Sequence, residues 1–327
     1  MIGYYIHHHG SGHLARAQAI TRHLPGPVIA LSSGPCDGSG FDHVVHLDRD
    51  DAAVSPTEVT AGGVLHWVPR HDHGLRGRMA QIAQFVATRS PDAVVVDVSV
   101  EVAVFVRLMG VPVIVMAMPG ERGDPAHQLA YSVADAVIAP WPEDLYQPTW
   151  LDEHRAKTTF TGGISRHEGR EPAPSRLHAA DVLVMTGTGG TRTARAEVTQ
   201  VATDHPDLTV RGLGTGFGTW ADDPWPDLCS ASLVVVNGGQ GSVADVAAAH
   251  RPALVLPQER PFDEQRATAR TLDRAGLARV SDTWPTRDEW RELIRDARTA
   301  EPPWTRWQTT GAARRAARAI ESVATAS

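Results

Sequence analysis

The chain has 327 residues and a net charge of −7, from 31 Lys+Arg against 38 Asp+Glu, with 16 histidines and 2 cysteines. Its only lysine, Lys157, lies outside every frame in which a Walker-type phosphate loop, a kinase or a penicillin-binding signature needs one, so these classes are excluded. The acidic balance argues against a nucleic-acid partner, and Cys36 and Cys229 form no C-x-x-C pair for a disulfide framework or thiolate zinc site.

The lysine poverty beside about 30 arginines reads as codon usage. A Schiff-base enzyme would have to use Lys157, which sits in a polar stretch with nothing in the sequence to lower its pKa. The first residues carry no charged n-region and no apolar h-region, and no apolar run reaches the length of a membrane span, so a soluble, cytoplasmic protein is expected.

In chain order, predicted strands at 2–7, 27–33, 43–47, 93–98, 112–118 and 136–140 alternate with predicted helices at 14–24, 75–89, 101–109 and 126–133. Runs such as Ala93-Val-Val-Val-Asp97 are apolar on both faces, as buried parallel strands are. A Gly- and Pro-rich stretch interrupts this pattern, and the alternation restarts at Asp181. Strands are then predicted at 182–185, 208–212, 233–237, 253–257 and 278–281. The matching helices are at 193–202, 242–249, 263–275, 287–298 and 305–324. The order predicts an α/β protein of two doubly wound halves around a cleft. Residues 1–160 form the first half, 161–180 a linker, 181–304 the second half and 305–327 a closing helix.

The first strand runs into Gly10-Ser11-Gly12-His13. Glycines here allow a sharp strand-to-helix turn and let a ligand approach the backbone at the carboxyl edge of the sheet. The third glycine of the dinucleotide fingerprint is missing, and no acidic residue ends the second strand, so NAD or FAD is not expected. A helix N-terminus disfavours an imidazolium, and a neutral imidazole facing a cleft can serve as a general base. Helix capping is the bland alternative for His13. The run His7-His8-His9 cannot all ligate one ion from a regular strand, and no metal is expected.

The most specific stretch is Asn237-Gly238-Gly239-Gln240-Gly241-Ser242, with Asp245 three residues on. A buried strand ends in a glycine turn, and a helix is predicted from Ser242 as N-cap. Exposed amides at a positive helix end suit a diphosphate. Asp245 then accepts hydrogen bonds from sugar hydroxyls, as on a ribose. A plain strand–helix turn is the alternative. Gln265 points to the same cleft edge. A further loop, Gly187-Thr188-Gly189-Gly190 with Arg192, is placed to meet a phosphate.

These residues resemble the two-domain GT-B glycosyltransferases, in particular the family 28 branch containing the lipid II-forming N-acetylglucosaminyltransferase. The resemblance rests on Gly10–His13 in the first half, and on Asn237–Asp245 followed by Pro252, Pro257 and Asp263-Glu264-Gln265 in the second. It implies a GT-B fold, a UDP-sugar donor such as UDP-N-acetylglucosamine on the second half and an acceptor on the first. It also implies a final helix crossing back to the first half, His13 as base, a diphosphate loop at Gly239–Ser242 and a donor-sugar contact at Gln265. Asp245 stands where the family has Glu, and Gln265-Arg-Ala-Thr268-Ala269 departs from its Gln-x-x-Asn-Ala. No cofactor beyond the nucleotide-sugar co-substrate is implied.

Ser99, Glu101, Arg122 and His127 follow parallel strands and are the acceptor-cleft candidates, with capping and loop solvation as alternatives. The segment 67–79 reads as a surface loop or as a contact with an anionic lipid or phosphorylated acceptor. Asp48-Arg49-Asp50 reads as a solvated face. Two other functions stay open: a UDP-sugar 2-epimerase on the same fold, and a non-catalytic glycosyltransferase-like partner.

Overall fold

Two all-parallel sheets organise the chain in a computed structural model that describes residues 1–8, 10–51, 55–187 and 195–326. The first half supplies β1 (Ile2–Ile6), α1 (Gly12–Thr21), β2 (Val28–Ser32), β3 (His43–His46), α2 (His73–Arg89), β4 (Ala93–Asp97), α3 (Val100–Leu108), β5 (Val113–Met116), α4 (Pro125–Val133), β6 (Ala136–Ala139) and β7 (Thr158–Phe160). Its seven strands lie in the order β3-β2-β1-β4-β5-β6-β7. The second half supplies β8 (Ala180–Met185), α5 (Arg195–Asp204), β9 (Val210–Leu213), α6 (Trp225–Ser230), β10 (Ala231–Val236), α7 (Gln240–Ala248), β11 (Ala253–Val255), α8 (Glu264–Arg274), β12 (Arg279–Val280) and α9 (Arg287–Ala297). Its five strands lie in the order β12-β11-β10-β8-β9.

Both faces of the first sheet are covered, as its strands require. Along β4, Ala93 and Val95 face one apolar cluster while Val94 and Val96 face the other. The last helix, α10 (Ala312–Thr325), completes the first of these clusters by laying Ala312, Ala313, Ala316, Ala317 and Ile320 against Ile2, Tyr4 and Ile138. The chain therefore crosses back onto the first sheet. The crossing is stitched where Glu168 accepts from the Gly311 and Ala313 amides at 2.6 and 3.1 Å and so caps α10. Arg315 donates to the Thr161 carbonyl, and Gly163 N donates to Trp307 O at 3.0 Å. Gly162 has φ +75, and a Cβ there would sit 2.3 Å from the Gln308 carbonyl oxygen, so only glycine fits.

The structure moves several expected boundaries. The final helix begins at Ala312, after a 3-10 turn at Trp304–Trp307 and a Gly311 with φ +76 that breaks the run. Strand β7 and helix α6 were not expected: three and six residues are too short to show a period. Arg78 is not on a surface loop. It lies inside α2, 2% exposed, bonded to Tyr5 Oη, Ser33 Oγ and Asp50. Asp50 is therefore an ion-pair partner, and Asp48 accepts from Gln81. Lys157 is also not a plain solvated lysine: burial lowers its pKa, and it donates to the Ser132 and Ala134 carbonyls.

Ile320 is wholly buried between α10 and the sheet. Ile320→Ala should lower unfolding free energy by about 2–5 kcal/mol, read from urea denaturation. A loss under about 0.5 kcal/mol, the range of a surface change, would contradict this packing.

Candidate active site

Each sheet has one place where neighbouring strands send their connections to opposite sides, and the crevice at the carboxyl ends there is where ligands bind in open α/β sheets. In the first sheet that place lies between β1 and β4, in the second between β8 and β10. The sequence puts its chemistry at those four strand ends. Gly10–His13 follows β1 and Asp97–Ser99 ends β4. Gly187 lies in the connection after β8, and Asn237–Gly239 follows β10.

At the first crevice, His13 stands in the first turn of α1 and its Nδ1 lies 2.9 Å from Asp97 Oδ1. Asp97 is wholly buried at the last position of β4. Arg16, one turn further along α1, donates from Nε to Asp97 Oδ2 at 3.1 Å and from Nη2 to Oδ1. Burial alone would raise the Asp97 pKa, but the Arg16 charge and the hydrogen bonds from Arg16 and His13 outweigh it and hold the carboxyl well below its usual range. A carboxylate accepting at Nδ1 places the proton there and leaves Nε2 as the basic nitrogen. Asp97 was not among the residues singled out from the sequence. Its signal was present: an acidic residue ending an apolar strand at the same sheet edge as His13. Gly10 has φ +85, as the turn demands, and Cβ atoms built at Gly10 and Gly12 meet nothing within 4 Å among the described residues.

At the second crevice, α7 begins at Gln240 with Gly239 as its N-cap. Ser242 is thus a first-turn residue and not the cap that was expected. Gly238 adopts φ +85, and Cβ atoms at Gly239 and Gly241 would also meet nothing within 4 Å among the described residues. This leaves the backbone amides at the start of α7 approachable by an anion. Asn237 donates to Leu256 O at 3.2 Å and so holds the turn. Gln265, 7% exposed, packs beside Gly238 and accepts from Gln258 N at 2.9 Å. Gly187 is exposed, while Thr188, Gly189, Gly190 and Arg192 lie outside the described residues.

Two expectations take a different form. Asp245 is 4% exposed and turns towards the linker, accepting from Ser165 Oγ at 2.7 Å and Arg166 Nε at 2.9 Å. It fastens that segment to α7, and Arg166 is the polar group at this edge that the sequence reading did not single out. Ser99 and Glu101 are likewise structural: Ser99 caps α3, and Glu101 accepts from the His66 and Trp67 amides at 2.7 and 2.9 Å.

Arg122 and His127 lie in a closed network. His127 Nδ1 bonds Asp124, as does His66 Nε2 at 2.9 Å, while Arg122 Nη1 lies 3.0 Å from His127 Nε2. His66, Asp124 and His127 are close enough to share a cation. Arg122 donates to the outer nitrogen of His127, which fixes the proton on Nδ1, facing Asp124, and makes the cluster a hydrogen-bond network. Arg122 also reaches the second half, pairing with Glu264 at 3.3 Å and lying 4.6 Å over the Phe262 ring. Glu121 N donates to Phe262 O at 2.7 Å. Phe262 and Asp263 take left-handed backbone angles, φ 60 and 56, at this contact.

Burial, helped by the Arg122 charge and opposed by Asp124, pushes the His127 pKa from 6.5 down to about 4. The unfolded chain therefore binds the extra proton first, so His127 adds stability above pH 6.5 that is lost as pH falls towards about 4. Urea unfolding should show wild type losing on the order of 3 kcal/mol more than His127→Gln over that interval. Equal losses in the two proteins would contradict the network.

No protein-family model matches the chain. It is 28% identical over 246 residues to a UDP-N-acetylglucosamine--N-acetylmuramyl-(pentapeptide) pyrophosphoryl-undecaprenol N-acetylglucosamine transferase of Solibacter usitatus, covering 65% of this chain and 66% of that protein. To the transferase of the same name from Rubrobacter xylanophilus it is 34% identical over 128 residues, covering 34% and 38% of the two chains. The matches thus span just under two thirds of one curated relative and little over a third of the other. Among solved structures, the glycotransferase of kitacinnamycin aligns with a TM-score of 0.67 at 17% identity, covering 98% of both chains. MurG of Acinetobacter baumannii aligns at 0.59 and 16%, covering 98% of this chain and 99% of that one. The chain has the GT-B glycosyltransferase fold, and the resemblance read from Gly10–His13 and Asn237–Asp245 is to the branch that these relatives represent.

Proposed function

We propose that the chain is a glycosyltransferase that moves a sugar from a nucleotide-diphosphate donor to an acceptor hydroxyl by direct displacement. The observation that carries this reading is the His13–Asp97 pair at one crevice, facing the open glycine turn and helix start of α7 at the other. The curated relatives are named for UDP-N-acetylglucosamine, so a UDP-sugar, and UDP-N-acetylglucosamine first, is the proposed donor. The same names carry an undecaprenol-linked acceptor, which supports a lipid-linked acceptor here and work at the cytoplasmic membrane surface. No helix among the described residues is long and apolar enough to cross a membrane.

In this scheme residues 181–304 hold the donor and residues 1–160 the acceptor, joined by 161–180 and by the returning segment 305–327. The amides of Gly239–Ser242 and the positive end of α7 hold the diphosphate and stabilise the charge that develops as it leaves. No metal and no lysine is assigned to this task. His13 Nε2 takes the acceptor hydroxyl proton as that oxygen attacks the anomeric carbon. Asp97 holds the ring in the required tautomer and balances the imidazolium that forms, as in Ser-His-Asp catalysis. Gln265 borders the donor sugar, and Asp245 sets the α7 edge through Ser165 and Arg166. One acid–base pair suits one proton transfer, which favours transfer over 2-epimerisation.

His13→Ala should lower kcat by about 10²–10⁴-fold, and Asp97→Asn should lower it by a comparable factor. Full activity in His13→Ala would remove the base assignment. Donor identity is read by a thermal-shift series with UDP-, TDP- and GDP-sugars. A UDP-sugar at ~100 times its Kd should stabilise the fold by about 2.7 kcal/mol, and stabilisation by none of them would overturn the reading. UDP appearing only when an acceptor is added distinguishes transfer from epimerisation.

A further inference from the structure

Arg16 is an arginine, 7% exposed, on the inner face of α1. A buried guanidinium needs partners for its several N–H groups. Arg16 spends them in two directions. Nε and Nη2 grip both oxygens of Asp97. Nη1 leaves the first half altogether and donates to Gln240 Oε1 at 2.8 Å. Gln240 is the first residue of α7, the helix whose N-terminus is proposed to hold the diphosphate. The Gln240 Nε2 is buried with no partner among the described residues, so the Arg16 bond is what orients this amide. Arg16 also faces Met118 Sδ at 3.6 and 3.7 Å and, further off, the Tyr4 phenol and the Glu264 charge.

We propose that Arg16 is a positioning residue that joins the donor end of α7 to the His13–Asp97 pair, so that donor seating and the setting of the base are one event. This rests on the glycosyltransferase reading above. A planar guanidinium can serve Asp97 on one edge and Gln240 on another in a fixed geometry, whereas a lysine ammonium is a point charge that keeps the Asp97 pair and loses the second arm. Movement of Gln240 as α7 receives a diphosphate therefore moves the guanidinium, and with it the carboxylate that orients His13.

The test is a double-mutant cycle on UDP affinity, read by calorimetry on wild type, Gln240→Ala, Arg16→Lys and the double variant. Gln240→Ala should weaken UDP about 3- to 10-fold in the wild-type background and leave affinity unchanged in the Arg16→Lys background, the mark of a shared interaction. The same fold-change in both backgrounds overturns the proposal. A second readout does not depend on how Arg16→Lys folds. Gln240→Ala, whose side chain touches neither His13 nor Asp97, should lower the rate of UDP formation at saturating UDP-sugar and acceptor as well as raise donor KM. A change in KM alone overturns the proposal. Wild type that binds no UDP sinks the functional reading together with this inference, while wild-type binding with an additive cycle sinks the inference alone.

Discussion

A single buried negative charge organises the cleft. Asp97 ends a central strand with no exposure to water, a position that costs several kcal/mol unless the charge is met at once. Two cationic or polar partners meet it, and both come from α1. His13 and Arg16 are spaced i and i+3 along that helix and so share a face. The spacing alone does not suffice. The strand order sets β1 beside β4, so the helix that follows β1 passes over the end of β4. Sheet topology, helix periodicity and the cost of a bare carboxylate converge on one geometry, in which His13 turns Nδ1 to Asp97 and Nε2, the nitrogen proposed as base, away from it.

The second half uses the same topological rule with a different currency of charge. Its crevice between β8 and β10 is served by a glycine turn and a helix start. In a chain with one lysine, amides and a helix end are the groups proposed to supply the positive potential for a diphosphate. Two polar bridges between the halves flank the cleft. Arg16 reaches Gln240 close to the chemistry, and the 120–122 loop clasps Phe262 and Glu264 next to Gln265. At the second bridge the approach is so close that a Cβ on Gly120, φ +102, would sit 2.1 Å from Phe262 O, so glycine is dictated by the neighbouring half.

Much of this was legible because it is local. Period-2 and all-apolar runs mark buried strands, and glycine turns mark their ends, so β1, β4, β8 and β10 and the loops they carry follow from sequence alone. His13 stands out because a histidine after a glycine turn has a local signature. What was missed depends on distance in the chain. Asp97 matters only because β4 neighbours β1, 84 residues from His13. Arg166 and Ser165 matter only because the linker folds onto Asp245, about 80 residues ahead. That same contact explains why Asp245, which looked like a ribose ligand on its helix turn, faces the linker. Ser99 and Glu101 read as cleft residues from their position at a strand end, yet their oxygens are taken by the amides of α3 and of the 66–67 loop. A one-dimensional reading cannot see that competition for hydrogen bonds.

The most direct test of the account is a crystal structure of the chain with UDP-N-acetylglucosamine soaked in or co-crystallised. The account predicts diphosphate oxygens within hydrogen-bond reach of the Gly239–Ser242 amides, and the anomeric carbon on the side of the cleft where His13 Nε2 emerges, with His13 still bonded to Asp97. A nucleotide seated away from α7, or an anomeric carbon turned from His13, would contradict it.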